Sequence, residues 1–103
     1  MLNTLKKILG MGPSVDLGEL IRNGAVILDV RTKGEYQSGH VKGSVNIPLD
    51  QLTSNMNKLD KSKPIITCCA SGMRSGSAKS VLQNRGFTEV YNGGSWQNVN
   101  RYK

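Results

Sequence analysis

Apolar and polar positions along this 103-residue chain fall into two rhythms, and together they predict alternating helices and strands. Leu2, Leu5, Ile8 and Leu9 lie on one face of residues 1–12 with Lys6 and Lys7 on the other, which predicts a short amphipathic N-terminal helix. Gly10, Gly12 and Pro13 break that pattern, so residues 13–103 are read as one domain. Leu17, Leu20 and Ile21 predict a helix over Asp16 to Arg22, with Asp16 and Glu19 at capping-box spacing and Asn23-Gly24 as its stop. Val26-Ile27-Leu28-Asp29-Val30 is a continuous apolar run with one acid near its end, as expected of a strand covered on both faces. Glu35 falls on a short helix, and Gly43 to Pro48 reads as a tight turn with a short extended piece. Leu49, Leu52, Met56 and Leu59 then form a helical stripe facing the core.

The polar turn Asp60-Lys61-Ser62-Lys63 leads into Ile65-Ile66-Thr67, a second run fit for a fully covered strand. Ala78, Val81 and Leu82 recur at helical spacing from Ser75, and Gly86 is placed to end that helix. Thr88 to Tyr91 predicts one more strand, and Ser95 with Trp96 a last helical turn. Asn92-Gly93-Gly94 between them allows close approach of the backbone to the loop ahead of the Ser75 helix. This order predicts an α/β fold, a central parallel sheet with helices on both faces.

The net charge is +7, from 14 Lys and Arg against 7 Asp and Glu. The cations form no tract and few aromatics are interleaved with them, so nucleic-acid binding is not expected. The excess favours steering of small anions or acidic partner proteins, with plain solvation of the surface as the alternative. No run is long and apolar enough for a transmembrane segment or a secretory core, and the N-terminal helix is expected to dock on its own domain rather than on a membrane or a partner. Two cysteines without a signal peptide point to a reducing, cytoplasmic setting. One histidine with two adjacent cysteines cannot supply four zinc ligands, so no metal and no cofactor is expected.

The candidate chemistry sits where the second strand turns into its helix, at Cys69-Ala70-Ser71-Gly72-Met73-Arg74-Ser75. A loop of this kind turns successive N–H groups inward and adds the positive end of a helix, which lowers the pKa of a cysteine at its mouth. Gly72 lets the chain turn, and Arg74 can clamp an anionic oxygen. The alternative is a Cys69 that merely packs as a small apolar residue. Asp29 and Arg31 lie at the same end of the sheet, where ligands of open parallel sheets collect. A structural ion pair is favoured over acid catalysis for Asp29, and Glu35 is read in the same way.

These blocks resemble the rhodanese-like sulfurtransferases. Beside the Cys69 loop, the resemblance rests on Asp29-Val30-Arg31, Glu35-Tyr36, Gly39-His40-Val41, Gly43-Ser44, Asn46-Ile47-Pro48 and Val90-Tyr91-Asn92-Gly93-Gly94, in the family's order. It implies a thiosulfate sulfurtransferase with a persulfide on Cys69, a binding cradle from Ala70, Ser71, Gly72, Met73, Arg74 and Ser75, framing roles for Asp29 and Arg31, and a structural packing or hydrogen-bonding role for His40. A small anionic sulfur donor would then be the first partner, and a thiol, cyanide or sulfur-acceptor protein the second. Related loops often carry a second cation where this chain has Ala70, and Trp96 comes early after the paired glycines. One rival counts from Cys68, which has five residues between it and Arg74 as in Cys-x5-Arg phosphatases and arsenate-reductase-like enzymes. Ser71 in place of glycine and the lack of a histidine before Cys68 argue against it. A sulfur carrier or binding module without turnover is the other alternative. Cys68 itself is read as a core-facing strand residue, with an oxidative bond to Cys69 as a strained possibility.

Overall fold

The computed structural model describes residues 15–103, so the N-terminal helix expected over residues 1–12 lies outside the described residues. Helix α1 spans Leu17–Arg22, and Asp16 caps it by accepting the Glu19 N–H at 3.0 Å. Strand β1 follows at Val26–Asp29, helix α2 at Lys33–Gln37 and the two-residue strand β2 at Val45–Asn46. Strand β3 spans Ile65–Cys69, helix α3 Met73–Asn84, strand β4 Val90–Ser95 and helix α4 Trp96–Asn100. The four strands are all parallel, in the order β2-β1-β3-β4. The chain therefore leaves β1 toward one edge for β2 and returns to β1's other side for β3. That reversal makes the C-terminal ends of β1 and β3 a topological switch point, with Asp29 on one strand and Cys69 on the other.

Two apolar clusters cover the two faces of the sheet, as the continuous hydrophobic runs require. One joins Leu28, Val30, Ile65 and Cys69 to Leu52, Leu59, Ala78, Leu82 and Phe87, under α3 and the β2–β3 connection. The other joins Ile27, Ile66 and Cys68 to Leu17, Val41 and Val99, with Leu20, Ile21 and Trp96 against it, under α1 and α4. Successive β3 side chains thus alternate between two cores, and all five residues of the strand are buried.

The stripe Leu49, Leu52, Met56 and Leu59 is not one helix. It forms two 3-10 turns, Leu49–Gln51 and Met56–Lys58. The reason is local. Asn55 Nδ2 donates to the Gln51 carbonyl at 2.8 Å, taking the acceptor that the Asn55 N–H would need in a continuous helix, and that N–H turns to Leu52 O at 3.0 Å. The inward-facing role of the stripe holds all the same, for Leu52 and Leu59 are buried and Leu49 and Met56 pack on the same core. Strand β4 begins later than expected and runs through Asn92-Gly93-Gly94 to Ser95. Its register slips against β3, from Thr67 opposite Asn92 to Cys69 opposite Ser95. Gly93 permits this, because a Cβ there would sit 2.5 Å from Val99 Cγ2, 2.8 Å from Ile66 Cγ2 and 2.9 Å from the Thr67 carbonyl.

Candidate active site

Cys69 is the last residue of β3, and the chain loops over it before entering α3. Gly72 makes the turn in the left-handed region, φ 103°, and stands as the N-cap of α3. Its N–H points back at Cys69 Sγ at 3.0 Å, and the Ser75 N–H reaches the same sulfur at 3.4 Å. The Cys69 thiol donates to Ser75 Oγ at 3.5 Å, and the single Ser75 hydroxyl proton has Asn92 Oδ1 at 2.6 Å and Gly72 O at 3.0 Å as its acceptors. Burial pushes the Cys69 thiol up, but the hydroxyl and N–H of Ser75 with the N–H groups of Gly72 and Ser71 outweigh it, and the pKa falls from 9.0 to about 7. The nest that the loop was expected to form is present, and in this state it is filled by the residue's own sulfur. Ala70 and Met73 give no hydrogen bond to it; both are exposed, Met73 at 81%.

Cys68 points into the other core, between Ile27, Ile66 and Val99. Burial, reinforced by the Asp29 carboxylate, pushes its thiol up to about 12. The Cys-x5-Arg reading needs Cys68 in the loop as an ionised nucleophile, and the strand pleat turns it away. Both cysteines are free and buried.

Asp29 and Arg31 form a buried pair. Arg31 Nη2 donates to Asp29 Oδ2 at 2.7 Å and Nε to Oδ1 at 2.9 Å. The same guanidinium reaches the carbonyls of Glu35 at 3.2 Å and Gly39 at 2.7 Å, and lies 5.0 Å from the Trp96 ring centroid. Its charge is therefore used to hold the α2 segment against the sheet rim. His40 is exposed, stacks on Tyr36 at 3.8 Å and shares a hydrogen bond with the Tyr36 carbonyl at 2.7 Å through Nδ1. None of the hydrogen bonds at Cys69 involves it.

Arg74, expected as an open clamp, is engaged. Nη1 donates to Glu35 Oε1 at 2.7 Å and Nη2 to Oε2 at 3.0 Å, across 39 residues of sequence. Glu35 is placed there by the start of α2, where Thr32 and Glu35 form a reciprocal capping box. The Thr32-x-x-Glu35 spacing could have located that carboxylate on the first turn of a helix. Asn92 had no such local signal. Its Nδ2 donates to Gly72 O at 3.1 Å while its Oδ1 accepts from Ser75 and from the Gly94 N–H at 2.9 Å, so it ties β4 to the loop. Beside Arg74 opens a cleft of about 370 Å³ lined by Val30, Thr32, Pro48, Leu49 and Asp50. Among the described residues no group of three or more metal-ligating side chains converges, and no helix is long and apolar enough to cross a membrane.

The arrangement is a cysteine ionised near neutral pH, seated among N–H donors at the end of a central parallel strand, with its charge balanced by hydrogen bonds rather than a base. Comparison with known proteins then gives the family. The profile of the rhodanese-like domain matches residues 14–100. An uncharacterized protein of Bacillus subtilis strain 168, YqhL, is 41% identical over 68 residues, which cover 66% of this chain and 54% of that protein, so the matched segment spans about half of that relative. The thiosulfate sulfurtransferase PspE of Escherichia coli K12 is 35% identical over 74 residues, covering 70% of this chain and 71% of PspE. A solved structure described as a rhodanese with anions from E. coli superposes with a TM-score of 0.63 at 33% identity, over 73% of this chain and 91% of that one. The chain belongs to the rhodanese-like domain family.

Proposed function

We propose that this protein is a sulfurtransferase that carries sulfane sulfur as a persulfide on Cys69. The observation that supports it best is the ring of N–H donors from Ser71, Gly72 and Ser75 around a thiol with a pKa of about 7. The Cys69 thiolate attacks the outer sulfur of a donor such as thiosulfate. A sulfur–sulfur bond forms at Cys69 as the donor's own sulfur–sulfur bond breaks, and sulfite leaves with the bonding electrons. No general acid is needed, because sulfite departs as a stable anion. A thiol or cyanide then takes the outer sulfur and returns Cys69 as thiolate, so the cycle needs no external oxidant or reductant.

The loop amides hold negative charge in fixed positions through both half-reactions. Asp29, Arg31 and His40 act on the frame: the first two brace the rim and His40 packs on Tyr36. A cytoplasmic setting is part of the proposal, because a reducing compartment keeps a nucleophilic thiol available.

The test is thiosulfate:cyanide sulfurtransferase activity with intact mass after thiosulfate treatment, for wild type, Cys68→Ser and Cys69→Ser. Wild type and Cys68→Ser are expected to gain one sulfur atom and turn over, and Cys69→Ser to do neither. Aryl phosphate cleavage that depends on Cys68 would overturn the proposal in favour of the wider-loop phosphatase chemistry. A Cys69 that gains sulfur but never releases it to any acceptor would make the chain a carrier rather than an enzyme.

A further inference from the structure

Two guanidinium groups approach the Cys69 end of the sheet, and both are bound by carboxylates of the chain itself. Arg31 is held by Asp29 in the buried layer. Arg74, the sole charged residue of the loop, gives both Nη atoms to the two oxygens of Glu35. Hydrogen bonds from Arg74 and then from Thr32 bring the Glu35 carboxyl to about 2, so this pair stays ionic wherever Cys69 is a thiolate. With Ala70 in the loop in place of a further cation, the mouth of the nest carries neutral N–H groups and a cancelled pair. Asp50 adds a negative charge at the adjoining cleft, whose other walls include Val30, Pro48 and Leu49.

Such a mouth discriminates by charge. Among the described residues that line this cleft, a dianionic donor meets no uncompensated cation and must compete with Glu35 for Arg74. A monoanionic donor needs only the loop amides, and the carbon group that replaces its second charge can lie against Val30, Pro48 and Leu49. We propose that Glu35 is a positioning residue that sets donor charge: by occupying Arg74 it makes the site select monoanionic organic sulfane donors, such as thiosulfonates and organic persulfides, over dianionic thiosulfate. This rests on the sulfur-transfer reading above. With methanethiosulfonate the step is the same displacement. Cys69 thiolate bonds to the outer sulfur, the donor's sulfur–sulfur bond breaks, and methanesulfinate leaves with the electron pair.

The experiment compares kcat/KM for methanethiosulfonate and for thiosulfate, with cyanide as acceptor and Cys69 loading followed by intact mass. Wild type is expected to favour methanethiosulfonate by about tenfold. Glu35→Gln removes the charge and keeps an oxygen for the Thr32 N–H that Glu35 Oε1 accepts at 3.0 Å, so the helix cap survives. That variant is expected to reduce the preference about tenfold, mainly through a lower KM for thiosulfate. Glu35→Ala loses the cap as well. It should move the preference by the same factor while lowering the melting temperature further, a split that a purely structural role would not produce. An unchanged donor preference in both variants, or a wild type that favours thiosulfate, overturns the inference and leaves sulfur transfer standing. If neither donor adds sulfur to Cys69, sulfur transfer itself fails and the inference falls with it.

Discussion

Cys68 and Cys69 share a peptide bond, yet at pH 7 their thiolate fractions differ by about 10⁵, given pKa values of about 12 and about 7. The pleat sets up this difference, by sending one sulfur into a closed apolar core beside Asp29 and the other under the donors of the loop. For Cys69 burial acts against ionisation, and the donors from Ser75, Gly72 and Ser71 reverse it. Ser75→Ala removes one of those donors and is expected to raise the Cys69 pKa by about one unit, the equivalent of a charge-assisted hydrogen bond of about 1.5 kcal/mol. The sign is fixed by which form the hydroxyl stabilises, the thiolate. Alkylation by iodoacetamide should then be half-maximal near pH 7 in wild type and near pH 8 in the variant, read from the pH–rate profile. A profile that does not move would mean that Ser75 spends its proton on Asn92 in both ionisation states.

At the scale of elements, β4 and α2 make opposite predictions for the same substitution. Gly93→Ala puts a methyl group into space held by Val99, Ile66 and the Thr67 carbonyl, and should destabilise the fold by about 1–3 kcal/mol. Gly34 lies in α2, and a methyl group added there would meet nothing within 4 Å, so Gly34→Ala should stabilise by about 0.5–1 kcal/mol. Urea denaturation of the two variants checks both. These elements also show what was readable in the chain. The buried strands were legible because Val26–Asp29 and Ile65–Cys69 are covered on both faces, and so carry no alternation that could be mistaken for an edge. The loop was legible because Gly72, Arg74 and the helix start are contiguous. The break at Asn55 was not, since it depends on a side chain competing with the backbone for Gln51 O. The Glu35–Arg74 pair was not, because 39 residues and the packing of α2 against the sheet rim intervene. The approach of the Asn92-Gly93-Gly94 backbone to the loop was legible, but the side-chain bonds of Asn92 were not, since their partners come from the loop after another strand.

For the molecule as a whole, the net charge of +7 acts over distances where the cancelled pairs near Cys69 do not. Approach of an anionic donor should therefore be aided by the general surface even though the mouth itself is balanced. Raising ionic strength from about 0.01 to 0.15 M shortens the Debye length from about 30 to about 8 Å, and kcat/KM for thiosulfate is expected to fall several-fold in steady-state assays. Salt-independent kinetics would assign those cations to solvation alone. Since all four strands run the same way, the Cys69 loop, the Asp29–Arg31 pair and the Glu35–Arg74 pair gather at one end of the sheet. At the other end the described residues form turns, among them Asn23-Gly24 and Asp60–Lys63, with Lys61 lying against Gly86. The exposed amines of Lys61 and Lys63 thus offer anchoring points behind the sheet, from which a surface-tethered molecule would hold its sulfur-bearing end outward to a flowing solution.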